Sequence, residues 1–151
     1  MLIYDAEPDG YVIRNGGGIQ GMPDDGSAYL QNFGGITSFA FINGMQFGIT
    51  SVDLAAYSDV IPNFSTSFIG YLPNGSTVTT NFSGTGLGFR TLNFGPEFSG
   101  LIRLEIPQDF VNLTSWSLDN LAFYVPEPPA ASLFVLSGFV VFIGRKKLAA
   151  R

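Results

Sequence analysis

Within residues 1–124, Gly, Pro, Asn, Ser or Thr interrupts every window long enough for a helix, so this region carries almost no helical signal. What survives are short runs in which apolar and polar residues alternate with period two, the pattern of half-buried strands. In LIRLEI, Ile102, Leu104 and Ile106 share one predicted face, and Arg103 and Glu105 the other. In TVTTNF, Val78 and Phe82 line up with Thr80 between them, and in SFAF Phe39 and Phe41 point the same way. Phe47 and Ile49 alternate, then the phase slips before Val52 and Leu54, which predicts a β-bulge.

Turn chemistry separates these runs. Pro73-Asn74-Gly75 lies between SFIGYL and STVTTNF and predicts a hairpin, because Asn and Gly accept positive φ. Asn43-Gly44 predicts a second hairpin, and Gly84, Gly86 and Gly88 mark a loose connection or a binding loop. About eight short strands at this spacing fit an all-β antiparallel β-sandwich of jelly-roll-like type. Twelve of the fifteen Phe lie in residues 1–124, where they would fill the space between its sheets.

The charge distribution is lopsided. Residues 1–124 carry eleven Asp and Glu against Arg14, Arg90 and Arg103, a balance of −8, whereas residues 125–151 carry Glu127 against Arg145, Lys146, Lys147 and Arg151, a balance of +3. So acidic a body offers no basic face to nucleic acid phosphates. The chain has no Cys and no His, which removes disulfides, Cys or His metal ligands, Cys–His nucleophiles and Ser–His–Asp triads.

The C-terminal 27 residues are built differently. Pro126, Pro128 and Pro129 separate the strand region from Ala130–Gly144, fifteen uncharged residues of which nine are Leu, Phe, Val or Ile. As a helix, expected over about 129–144, the apolar run would span roughly 22 Å, against a hydrocarbon core of about 30 Å. Snorkelling by Arg145, Lys146 and Lys147 narrows the gap. Its nine apolar residues favour insertion by about 3–5 kcal/mol before Ser and Gly subtract, enough for a transient membrane hold.

The order of these three parts resembles the PEP-CTERM sorting signal of Gram-negative bacteria: Val125-Pro126-Glu127-Pro128, an apolar segment, then the basic cluster Arg145, Lys146, Lys147 and Arg151. The stretches FGITSVDLAAY, FIGYLPNGSTVTTNF and SWSLDNLAFY also look like the sandwich domains that precede such signals. The resemblance implies two regions, a β-sandwich over 1–124 and a sorting signal over 125–151. It implies recognition of Pro126, Glu127 and Pro128 by an exosortase, a membrane protease or transpeptidase that cleaves near the motif. The product would pass from the inner membrane to the outer surface or the exopolysaccharide matrix. By this likeness the chain is a substrate, and the catalytic groups belong to the other protein.

The positive-inside rule places the basic cluster in the cytoplasm and residues 1–124 outside. Export of that kind needs an N-terminal signal, yet MLIYDAEPDG has no basic start and only a three-residue apolar run. Either the start is internal to a longer product, with part of the first strand missing, or the chain is tail-anchored and faces the cytosol. The charge rule favours the first.

Candidate sites in the body are few. Asp119-Asn120, in SWSLDNLAFY, reads as a structural pair bonding nearby backbone in a loop or bulge. The sharper reading is a structural calcium site using Asp119 with an acid near the first strands, such as Glu7. Asp24-Asp25-Gly26 reads as an acidic turn. Trp116, Tyr57 and Tyr71 are candidates for a sugar platform, although a single Trp in an alternating strand suits a core. Paired carboxylates could run glycoside hydrolysis, and Glu7, Glu97 and Glu105 are the body's only glutamates. Asn63, Asn74, Asn81 and Asn112 begin N-x-S/T triplets, frequent by chance in so Asn- and Ser/Thr-rich a chain. Three functions follow as expectations: a non-catalytic surface or matrix protein, a jelly-roll carbohydrate-binding module, or a small glycoside hydrolase. None needs a cofactor beyond the calcium considered for Asp119.

Overall fold

The computed structural model describes residues 2–6, 11–15, 19–32, 35–108 and 115–126. They form ten strands: β1 (Leu2–Ala6), β2 (Tyr11–Asn15), β3 (Ala28–Asn32), β4 (Gly35–Phe41), β5 (Gly48–Ala56), β6 (Asn63–Tyr71), β7 (Thr77–Thr85), β8 (Arg90–Asn93), β9 (Arg103–Gln108) and β10 (Trp116–Tyr124). A single 3₁₀ turn, Pro96–Phe98, joins β8 to β9. One sheet, here called A, has the order β1-β4-β9-β6-β7, and sheet B has the order β2-β3-β10-β5-β8. All their strand pairs are antiparallel.

The pairing is nested. β6 pairs with β7, β5 with β8, β4 with β9 and β3 with β10, so eight strands form one long hairpin closed at residues 72–76. Successive nested pairs alternate between the sheets, and β10·β5 and β6·β9 pairing ties the hairpin into two layers. At the closing turn the Gly75 N–H donates to the Leu72 carbonyl at 3.0 Å, and the Leu72 N–H donates to the Ser76 carbonyl at 2.9 Å. Gly75 takes the positive φ of 83° that this three-residue loop needs. Asn74 contributes through its side chain instead, accepting from the Ser76 N–H and hydroxyl.

Between the layers lies an apolar core in which Phe39, Phe41, Phe47, Phe64, Phe68 and Phe98 are buried with Val52, Leu54, Leu101, Leu104, Ile106 and Trp116. The alternation in the sequence therefore does place Phe39 and Phe41 inward, and it sets Val78, Thr80 and Phe82 on one half-buried face of β7. Among the described residues, two Phe depart from the expected filling. Phe89 packs edge-on against Tyr29 on the outside of sheet B, and Phe123 lies exposed at the core's rim against Phe41.

The bulge expected near Ile49 is present. Phe123 pairs with Ile49 and Ala122 with Ser51, so Thr50 is the extra residue on β5. A compensating bulge follows on β10, where Asn120 and Leu121 together oppose Val52. Asn120 occupies it with φ of 48°, a left-handed conformation that Asn tolerates better than other non-glycine residues.

Three expectations change. Ile102 is exposed rather than inward, because Leu101 takes the core position by pairing with Phe47 before β9 begins at Arg103. Asn43-Gly44 does form a turn, with the Gly44 N–H donating to the Phe41 carbonyl, but it carries the chain from sheet A to sheet B instead of making a hairpin. The helix expected over 129–144 lies outside the described residues, among which no helix is long and apolar enough to cross a membrane.

Candidate functional site

Inward and outward rows separate cleanly on sheet B. Leu54, Ala56, Trp116 and Leu118 enter the core, which leaves Asp53, Ala55, Ser117 and Asp119 on the outer face beside Tyr29 and Gln31 of β3. Two polar groups assemble there.

The first is acidic. Asp24 and Asp25 form overlapping side-chain turns: Asp24 accepts from the Gly26 N–H, and Asp25 from the Ser27 N–H and hydroxyl. The Ser27 Oγ also lies 2.5 Å from Asp119 Oδ2 and 2.8 Å from Asp25 Oδ1, and its single proton serves one carboxylate at a time. Asp119 Oδ1 accepts from the Asn120 N–H at 2.7 Å, and Asn120 Nδ2 donates to Asp53 Oδ2 at 2.9 Å. Thr91 donates to the other Asp53 oxygen at 2.6 Å. The bonds from the Ser27 backbone and hydroxyl hold the Asp25 carboxyl below its ordinary value.

This is the arrangement expected of a structural pair in a bulge. Asp53 and Asp119 accept at both oxygens from neutral donors, and among the described residues no three acids are placed to hold a metal ion. Glu7, the partner considered for Asp119 in a calcium site, lies outside the described residues. Beside the cluster opens a shallow crevice of about 280 Å³, walled by Tyr29, Leu30, Phe39 and Leu118 and rimmed by Asp119 and Asn120. Its size falls just under the usual range of ligand pockets.

The second group is buried. Gln31 is fully enclosed and bonded throughout: Oε1 accepts from Arg14 Nε at 3.0 Å, and Nε2 donates to the Tyr57 carbonyl and to Ser117 Oγ, both at 2.9 Å. Ser117 passes its own proton to the Ala56 carbonyl. Residues 19–27 and 57–62 lie over this part of the sheet, joined where the Asp59 N–H donates to the Gly21 carbonyl. Burial raises the phenol pKa of both Tyr29 and Tyr57 above the ordinary value. Nothing local signals this group, since Gln31 alternates like an exposed residue in AYLQN and only distant loops enclose it.

The other candidates are occupied. Trp116 is fully buried and so is no sugar platform, and its indole N–H has no partner among the described residues. Tyr71 carries the Arg103 guanidinium 4.0 Å above its ring, and its hydroxyl donates to Glu105 at 2.6 Å. Tyr57 is half-buried at the start of the 57–62 segment. Glu105 also pairs with Arg103 at 3.2 Å, which commits it to a surface triad. Glu97 turns back over Gly95 within the 3₁₀ turn.

Asn63, Asn74 and Asn81 are exposed, and Asn112 lies outside the described residues. Of the sorting motif, Val125 is exposed and Pro126 half-buried, both beyond the end of β10. Glu127, Pro128, Arg145, Lys146, Lys147 and Arg151 lie outside the described residues. No known family model matches the chain, and neither a curated protein nor a solved structure matches it.

Proposed function

We propose that this chain is an exported, non-catalytic surface or extracellular-matrix protein, sorted through its C-terminal segment by an exosortase. One observation carries the reading. Val125-Pro126-Glu127-Pro128, an uncharged apolar run and a cluster of cations follow in that order, directly after the strand that completes the sandwich at Tyr124. Pro126 cannot continue a central strand, and the extended backbone that prolines favour offers the motif as an open strand to a protease cleft. The apolar run would hold the chain in the inner membrane until cleavage frees the sandwich to the outer surface or to an exopolysaccharide matrix. Nested pairing, with alternate pairs assigned to alternate sheets, supports the jelly-roll form of sandwich for the released domain.

Changing Glu127 to Ala in an exosortase-bearing host tests the reading. The expected result is an uncleaved, membrane-retained form, seen by mass spectrometry and fractionation. Equal amounts of mature protein from wild type and variant would overturn it.

A further inference from the structure

We propose that β7 is a pairing edge through which two copies of this chain join their A sheets antiparallel. The two sheets have four edges: β1 and β7 in sheet A, β2 and β8 in sheet B. Three of them are short and charged. β1 and β2 have five residues each and carry Asp5 and Arg14, and β8 has four and carries Arg90. Short length and charge are the means by which natural sheets discourage edge pairing.

β7 has neither protection. It runs nine residues, TVTTNFSGT, with no charge and no proline. It belongs to a longer stretch, Val60 to Phe89, without a single ionised side chain in a body whose balance is −8. Two such bodies repel wherever their acids meet, and this hairpin is where they can approach without that cost. One side of β7 is fully paired with β6 from Thr77 to Thr85, and among the described residues no other backbone group bonds its far side. An edge strand presents its alternate N–H and C=O groups outward as a template.

The side chains favour the same contact. On β6 the inward row Phe64, Thr66, Phe68 and Gly70 is buried, whereas the inward row Val78, Thr80, Phe82 and Gly84 of β7 is only half-buried. Gly84 leaves room for the Phe64 ring, which a Cβ there would strike. The core is thus open along β7, and a further strand would cover Val78 and Phe82. Antiparallel pairing centred on Asn81 sets Thr79 against Ser83 of the second copy, and Val78 against its Gly84. The contact is self-complementary, as a two-fold dimer requires, and hydroxyl faces hydroxyl along the exposed row.

The experiment uses the full chain in a mild non-denaturing detergent, by sedimentation equilibrium over a concentration series. Wild type is expected to dimerise. Combining Thr79→Lys with Ser83→Lys creates two like-charge cross-strand pairs and should raise the dissociation constant about tenfold or more. Val60→Lys with Gln20→Lys, equal in charge but away from the edge, should leave it unchanged. Hydrogen exchange on wild type gives a second readout independent of the variants' folding: β7 amides should gain protection as concentration rises. A wild type monomeric throughout, or a dimer in which β7 amides stay unprotected, overturns the proposal. So does a folded Thr79/Ser83 lysine variant that dimerises as well as wild type, which would place association in the tail. Protection of β7 only on adding a different surface protein would assign the edge to that partner and overturn self-pairing.

Discussion

The outer faces of the two sheets share an alternating pattern and end in opposite conditions. On sheet B, residues 19–27 and 57–62 lie over the strands, and Gln31, Ala55 and Ser117 are wholly enclosed although they point away from the core. On sheet A, Thr77, Thr79, Asn81 and Ser83 stand open, and Tyr71, Arg103 and Glu105 lean on one another at the surface. A strand's outward row is therefore polar for two different reasons. On sheet A it meets water, and on sheet B it satisfies loop backbone that has been taken from water.

The comparison breaks most readily at Gln31. Gln31→Ala removes the partner of the Tyr57 carbonyl, of Ser117 and of Arg14, and should cost about 2–3 kcal/mol in urea unfolding. Ser67→Ala on sheet A removes only the exposed bond to Asn81 and should cost about 0.5 kcal/mol or less. Equal costs would mean that the cover over sheet B contributes nothing.

A smaller effect separates the tyrosines by cause. Tyr71 is raised above the ordinary phenol value chiefly because its proton is bonded to Glu105, whereas Tyr29 and Tyr57 are raised by burial. A folded pKa raised above the unfolded one gives stability that is present below about pH 10 and lost as pH rises through the raised value. Glu105→Gln should bring Tyr71 down toward its ordinary value in a spectroscopic pH titration and leave Tyr29 and Tyr57 where they are. Movement of all three would show that the two faces are coupled.

The smallest effect belongs to Asp25, which is exposed although it lies beside the covered face. Its folded pKa is lowered, so its contribution is present above the unfolded value and lost as pH falls through the folded one. Ser27→Ala keeps the backbone bond and removes the hydroxyl one, so it should return the carboxyl part of the way to its ordinary pKa, read by NMR titration, and slightly flatten the acid side of the stability profile. An unchanged titration would remove the Ser27 hydroxyl from the cluster.

Much of the sandwich is readable in the chain because its signals are local. Alternation places Phe39, Phe41, Val78 and Phe82, and Pro73-Asn74-Gly75 marks the turn on which the nested hairpin closes. The bulge at Thr50 follows from the phase slip alone. What misleads is decided at a distance. Ile102 and Leu101 compete for one core position, and the bridge to Phe47 settles it. Asn43-Gly44 is a sound turn, but only the whole topology decides whether a turn joins one sheet or two. The candidate site divides the same way: Asp119-Asn120 is visible as a pair, while Ser27 and Asp53 reach it from positions 92 and 67 residues away.

β10 comes latest of the ten strands, yet it occupies the middle of sheet B, between β3 and β5. Sheet B therefore has no centre until residues 116–124 have left the ribosome. The bond between Gln31 and Ser117 joins residues 86 positions apart, an interval of roughly 4–17 s at ordinary synthesis rates. Until then β2–β3 and β6–β7 are the pairs whose strands follow one another directly in sequence, and loop-closure entropy delays the rest. Topology thus acts as a clock: sheet B can lock only when the strand adjoining Val125 arrives.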